Sequence, residues 1–306
     1  MQPVGSRCGK TQWMNLKCLL TLAAASWAFS AFAQSTEGDF DSNGVNIHYA
    51  TEGQGEPVVL IHGWMADSTM WGRDAKGNTK LSPLPGFQLI ALDCRGHGKS
   101  DKPHDSSKYG TEIAEDVIRL LDHLNIRRAH LLGYSMGAEI AGYIAVKHPD
   151  RVISVIYADQ APIIAGTQTS SGSNEVEIFA KAVDDGKGLG PYIVYVMPEN
   201  KMTMDQANSL GAYMMNGKDQ KAIALAGLSL GDLKVTPDDL KKCTTPSLFI
   251  YGGAESHYVT DSVEIARKVL TNSEVKVIAG GTHMTTLIKP DFSATIVAFL
   301  QAHKTK

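Results

Sequence analysis

Cysteine is scarce in this chain, with four in 306 residues. Cys8 and Cys18 fall in an N-terminal stretch that reads as a leader, which leaves Cys94 and Cys243. Two thiols make no disulfide framework. Each reads as a small buried side chain, and a single bridge between them after export stays open. A basic surface is also missing. Lys+Arg number 29 against 32 Asp+Glu, a net of −3, and no stripe or cluster of cations stands out. That excludes nucleic acid as a natural partner. No pair of histidines and carboxylates shows zinc spacing, so no metal and no cofactor is expected. There is no internal repeat.

The N-terminal stretch has its own layout. Arg7, Lys10 and Lys17 precede an apolar run at 18–32, and Ala31-Phe32-Ala33 matches a small-residue cleavage site ahead of Gln34. This is the pattern of a secretory signal peptide over residues 1–33. The run is too short and too rich in Ala and Ser for a comfortable membrane anchor, so no stable span is expected after its removal. Met14 heads a compact charged region of its own, Met14-Asn15-Leu16-Lys17. Cleavage removes three basic side chains from the 29 and no acidic ones, leaving 26 against 32 and a net of −6. A periplasmic or secreted protein is the expectation.

In the remainder, residues 34–306, short β-type runs alternate with helical patterns. Runs at 58–61, 87–92, 129–132, 152–157, 247–251 and 275–278 read as strands. Most are near-continuously apolar, as parallel strands buried on both faces are. Asn46-Ile47-His48-Tyr49 reads as part of an antiparallel leading hairpin. Ile113, Val117, Leu120, Leu121 and Leu124 make one amphipathic stripe, and Val263, Ala266 and Leu270 another. The alternation predicts an α/β fold, a doubly wound and mostly parallel sheet. From about 163 to 240 the rhythm stops. A Ser/Thr/Gly-rich passage at 166–173 leads into helical patterns carrying Met197, Met202, Met204, Met214 and Met215. An interval that long predicts an inserted helical cap. Its methionines read as cap core, or alternatively as a soft wall for an apolar substrate group.

The pentad Gly133-Tyr134-Ser135-Met136-Gly137 follows the apolar run at 129–132 and leads into the small-residue helical pattern Gly137, Ala138, Ala141, Gly142, Ala145. It is a G-x-S-x-G nucleophile elbow, a sharp turn that lifts one serine hydroxyl above a sheet. A serine needs a base to take its proton, and the base needs a carboxylate to orient it. Along elbow proteins the order is serine, acid, histidine. Here the sequence offers Ser135, then Glu255 after the strand at 247–251, then His283 in Gly280-Gly281-Thr282-His283 after the strand at 275–278. Both loops follow C-terminal strand ends, where open parallel sheets place their sites. Two other acids compete with Glu255. Asp159 follows the strand at 152–157, and Asp261 in Asp261-Ser262-Val263-Glu264 looks like a helix capping box. Two backbone N–H groups, of Trp64 in Leu60-Ile61-His62-Gly63-Trp64-Met65 and of Met136 after the serine, fit an oxyanion hole. Gly96-His97-Gly98-Lys99-Ser100 misses the first glycine of a phosphate-binding loop, which falls on Asp93.

His62-Gly63-Trp64, Asp93-Cys94-Arg95-Gly96-His97-Gly98-Lys99-Ser100, the serine pentad and Gly281-Thr282-His283 together resemble the α/β-hydrolase superfamily. The resemblance runs over nearly all of residues 34–306. His-Gly-Trp with a methionine after the serine is similar to bacterial arylesterases and the related cofactor-free haloperoxidases, which usually carry aspartate where this chain has Glu255. What it implies is a serine hydrolase acting on a small carboxylic ester. Lactone, thioester or amide substrates and a perhydrolase side activity stay open. An intact nucleophile, base and oxyanion loop count against a non-catalytic ligand-binding protein on the same scaffold.

Overall fold

The structure is a computed structural model and describes residues 36–72, 81, 84–167 and 172–305. The leader at 1–33 with its cleavage site lies outside them, as does the middle of the Ser/Thr/Gly-rich passage. Among the described residues eight strands form one sheet: β1 (Thr36–Asp41), β2 (Asn46–Gly53), β3 (Gly55–Ile61), β4 (Gly86–Leu92), β5 (Ala129–Tyr134), β6 (Val152–Ala158), β7 (Ser247–Gly252) and β8 (Ser273–Ile278). Their order across the sheet is β1-β2-β4-β3-β5-β6-β7-β8. β1 and β2 pair antiparallel and β2 pairs antiparallel with β4, while every pair from β4 onward is parallel.

The central strands are apolar at most positions because both faces are covered, with the buried His130 and Ser154 bonded to each other at 2.7 Å. On one face Val59, Ile61, Ile90, Leu131, Val155 and Phe249 pack against helices α1 (Glu112–His123), α2 (Met136–Lys147) and, beyond the insertion, α8 (His257–Val269). On the other face Val58, Leu60, Leu89, Leu132, Ile156 and Ile250 meet Trp71 and helix α9 (Pro290–Ala302), through Phe292, Ile296 and Phe299. The alternation of Val58/Leu60 with Val59/Ile61 is the period-two pleat of a strand dividing its side chains between two layers. β8 differs from the run read in the sequence: Val275 and Val277 are exposed, since β8 is the sheet edge.

Between β6 and β7 the chain leaves the sheet and forms α3 (Gly172–Asp185), α4 (Gly190–Val196), α5 (Met204–Met214), α6 (Gln220–Ser229) and α7 (Pro237–Lys241). Phe179, Leu189, Tyr192, Ile193, Ala207, Met215 and Ile223 make a separate apolar cluster there. Met197, Met202 and Met214 lie half-buried against it, whereas Met204 is exposed. The two ends of the insertion meet: Ile164 and Val235 form a parallel bridge, with Ala165 N–H to Val235 O and Val235 N–H to Ile163 O, both 2.9 Å. Cys94 is buried and Cys243 half-buried, and both are free thiols. Among the described residues no helix is long and apolar enough to cross a membrane.

Candidate active site

β5 ends at Tyr134 and α2 begins at Met136, so Ser135 alone makes the turn. Its φ of 54° and ψ of −117° lie where a side chain is strained. Neighbouring groups hold it there. Its N–H donates to Ala158 O and its carbonyl accepts from Ala138 N–H, both at 2.8 Å. The flanking glycines are obligatory for steric reasons. A Cβ on Gly133 would fall 2.0 Å from Gly137 O, and one on Gly137 would fall 2.1 Å from Ile61 O.

Two loops at the C-terminal strand ends reach the serine. The loop after β7 and the loop after β8 are laced together, with Gly253 N–H donating to Ile278 O and Ala254 N–H to Gly281 O, both 2.8 Å. From them His283 Nε2 lies 3.0 Å from Ser135 Oγ, and His283 Nδ1 lies 3.2 Å from Glu255 Oε1. The carboxylate accepts only, so Nδ1 carries the proton and Nε2 is left to accept from the serine hydroxyl. The Glu255 side chain is 1% exposed and its other oxygen accepts from Ser256 N–H. Burial pulls the imidazole down, but the bond to Glu255 and the charges of Glu255, Asp159 and Glu175 outweigh it, and His283 ends above its ordinary value.

The two rival acids separate. Asp159 is fully buried beside Glu255 and His283, but its Oδ1 accepts from Gly252 N–H (2.9 Å) and its Oδ2 lies 2.5 Å from the Tyr134 hydroxyl rather than on the imidazole. Asp261 is not a helix cap. α8 begins at His257 with Ser256 as its N-cap, and Asp261 sits exposed in the helix interior. The polar run Glu255-Ser256-His257 starts the helix earlier than the apolar stripe reveals.

The loop carrying Trp64 lies against the nucleophile: a Cβ on Gly63 would contact Ser135 Cβ and Tyr134 O, both at 3.4 Å. Met136 is the first residue of α2, so its N–H has no intrahelical acceptor. The Trp64 indole runs into the insertion, where Nε1 donates to Ile223 O (2.9 Å) and the ring meets Phe179 and Tyr192 edge-on. Lys218 Nζ also donates to Met65 O at 2.7 Å. The Asp93–Ser100 run is a turn stapled by Asp93, whose carboxylate accepts from Ser68 N–H and Lys99 N–H, both 2.7 Å.

Sequence reasoning passed over Glu139 and Glu175, both within electrostatic reach of His283. Glu139 is buried on α2, and burial pushes its carboxyl up to about 8. The signal was a lone charge among Met136, Gly137, Ala138, Ile140, Ala141 and Gly142. Glu175, on α3, is raised as well, again chiefly by burial. Asp159, Glu255 and His283 offer ligand atoms within 4.8 Å of one another. Those atoms are engaged in the bonds just given, with both ring nitrogens of His283 already partnered.

Comparison with known proteins agrees with the architecture. A family described as alpha/beta hydrolase fold matches residues 56–187. A non-heme chloroperoxidase of Kitasatospora aureofaciens is 27% identical, over 84% of this chain and 97% of that protein. A Bacillus subtilis protein named as a 2-succinyl-6-hydroxy-2,4-cyclohexadiene-1-carboxylate synthase is 25% identical, over 84% and 95%. The crystal structure of a bromoperoxidase from Bacillus anthracis superimposes with a TM-score of 0.67 at 23% identity, covering 87% of this chain and 100% of that one. With the sheet order and the serine turn, these matches give the chain the α/β-hydrolase fold, and in sequence it resembles the cofactor-free haloperoxidases.

Proposed function

We propose that this chain is a serine hydrolase that cleaves carboxylic esters through an acyl-enzyme, and that it works outside the cytoplasm once residues 1–33 are removed. One observation carries the reading: His283 stands between Ser135 Oγ at 3.0 Å and the buried Glu255 carboxylate at 3.2 Å. In this mechanism Ser135 Oγ attacks the ester carbonyl carbon as its proton passes to His283 Nε2. Glu255 keeps the proton of Nδ1 in place and stabilises the imidazolium. The N–H groups of Trp64 and Met136 hold the oxyanion. His283 then gives its proton to the departing alcohol, and a water, deprotonated by the same nitrogen, releases the acid and restores Ser135.

Serine at the elbow favours esters over epoxides and haloalkanes, which the superfamily opens with aspartate at that position. A second reading, perhydrolysis, is favoured by the likeness to a non-heme chloroperoxidase. Hydrogen peroxide would replace water in the deacylation and leave as the peracid. The test is a chain-length series of p-nitrophenyl esters, run beside a thioester and a lactone, with and without peroxide. Ester turnover that vanishes in S135A is the expected result, and turnover that survives in a folded S135A protein overturns the reading. For export, N-terminal sequencing of the extracytoplasmic protein is expected to begin at Gln34.

A further inference from the structure

The hydroxyl of Tyr134 has two partners and one proton. It lies 2.5 Å from Asp159 Oδ2 and 2.7 Å from the carbonyl oxygen of His283. Tyr134 is 5% exposed and Asp159 fully buried, so water does not make up a deficit easily. With Asp159 ionised, the phenol proton serves one oxygen and leaves the other at hydrogen-bond distance with no hydrogen between. With Asp159 protonated on Oδ2, all three oxygens are satisfied in sequence. Its Oδ1 still accepts from Gly252 N–H at 2.9 Å.

We propose that Asp159 is a proton-gated positioning residue: while protonated it donates to Tyr134, which donates to the His283 carbonyl and fixes the loop that aims the imidazole at Ser135, and it releases that tie when it ionises. The inference rests on the reading of His283 as the base. Tyr134 is the last residue of β5, next to the nucleophile, so the chain of bonds ties the serine turn to the histidine loop by a route separate from Glu255.

The surroundings hold the proton on Asp159 to higher pH than an ordinary aspartate keeps it. Asp159 faces Tyr134 from β5, the Gly252 N–H from β7, and Glu255 and His283 from their loops. Burial first, and the charge of Glu255 in addition, outweigh the Tyr134, His283 and Gly252 contributions and push its carboxyl up to about 6. Two carboxyls this close resist ionising together, which adds to the hold on the Asp159 proton. When Asp159 loses its proton to solvent at higher pH, Tyr134 turns to the new carboxylate. The His283 carbonyl then loses its donor and the imidazole gains a second negative neighbour.

Infrared spectroscopy of the whole protein, about one pH unit below the raised value, reads the state directly. The carbonyl stretch of a protonated carboxyl is expected in the wild type and diminished in Asp159→Asn, with the Glu139 contribution identified by its loss in Glu139→Gln. An unchanged carboxyl band in Asp159→Asn overturns the proposal. In kinetics, Asp159→Asn keeps a donor to Tyr134 and removes the titrating charge, so the rising limb of kcat/KM shifts to lower pH. Tyr134→Phe breaks the chain and lowers kcat on the order of 10–100-fold below the raised value, with little change in KM, and the deficit fades as pH rises past it. A Tyr134→Phe protein with wild-type kcat below the raised value, or an Asp159→Asn profile superimposable on wild type, sinks it. So does an Asp159→Asn loss as deep as that of Glu255→Gln, which would make Asp159 the ionised orienting acid. Ester turnover by S135A would defeat the serine mechanism and leave the infrared result standing, so the two failures are distinguishable.

Discussion

His62 accepts the backbone N–H of Cys94 on its Nε2 at 2.9 Å, while its Nδ1 lies 2.8 Å from Gly63 O. An amide can only donate, so Nε2 is the bare nitrogen and Nδ1 carries the proton to the carbonyl. The ring is fully buried, and burial pulls it below its ordinary value, which keeps it neutral. This single imidazole fastens the Gly63–Trp64 loop to the turn after β4.

Replacing it strips both bonds. His62→Leu is expected to lower stability by about 1–3 kcal/mol, the cost of a buried unpaired amide. If Trp64 N–H holds the oxyanion, turnover falls further, on the order of 10²-fold. Thermal midpoint and ester kcat measured together separate the two; unchanged kcat would remove Trp64 from the oxyanion role.

Ser135→Ala is expected to cost on the order of 10⁵–10⁶ in turnover, as loss of a nucleophile from a triad does. Ser135→Gly should be as inactive but more stable than Ser135→Ala by about 1 kcal/mol, since glycine accepts the positive φ without strain. Paired melting curves check the difference in sign.

Glu255→Gln is expected to drop turnover on the order of 10⁴-fold at little change in stability. Asp261→Asn, exposed within α8, should alter neither turnover nor melting beyond about 0.5 kcal/mol. Assays of both variants decide whether the acid after β7 was assigned correctly.

A base works only when neutral, so kcat/KM should rise with pH through a midpoint above the ordinary histidine value of 6.5. The sign for stability follows from the same shift. A histidine raised by folding contributes stability that is full below 6.5 and lost as pH passes its folded value. Residual activity of Glu255→Gln should show its midpoint at lower pH, because the largest force holding the imidazole up has gone.

Glu139 makes a prediction about folding rather than chemistry. Its carboxyl rises from 4.5 to about 8 on burial, so the folded chain holds a proton that the unfolded chain releases. Its contribution is full below 4.5 and declines as pH rises toward 8, by a few kcal/mol. Glu139→Gln should flatten that decline. Melting curves from pH 5 to 8 that fall equally in both proteins would contradict it.

The strands and the serine turn were legible because each depends on local pattern: apolar runs for buried parallel strands, and glycines where a Cβ meets backbone. The nearness of Ser135, Glu255 and His283 was legible through their order and their loops after C-terminal strand ends, with Asp159 and Asp261 left open as rival acids. Asp159 was read as a rival for the imidazole because sequence shows that it follows β6 but not that Tyr134 and Gly252 already engage it. Asp261 misled because Asp-Ser-Val-Glu has capping chemistry, while the helix is set one turn earlier by residues with no apolar period. Glu139 and the tie from Trp64 to Ile223 depend on contacts between elements distant in the chain, which no local pattern encodes.

The bridge between Ile164 and Val235 has a consequence for how such a protein can change. It brings both stems of the five-helix excursion to neighbouring-strand separation, about 5 Å apart. What lies between them can therefore lengthen, shrink or be exchanged as a cassette without altering the register of β6 and β7. Among the residues tied to that cassette are Trp64 and Met65, gripped by Ile223 and Lys218, and His104, paired with Asp219 at 2.9 Å. A graft that discards those grips would preserve the sheet and unmoor the loop beside the serine.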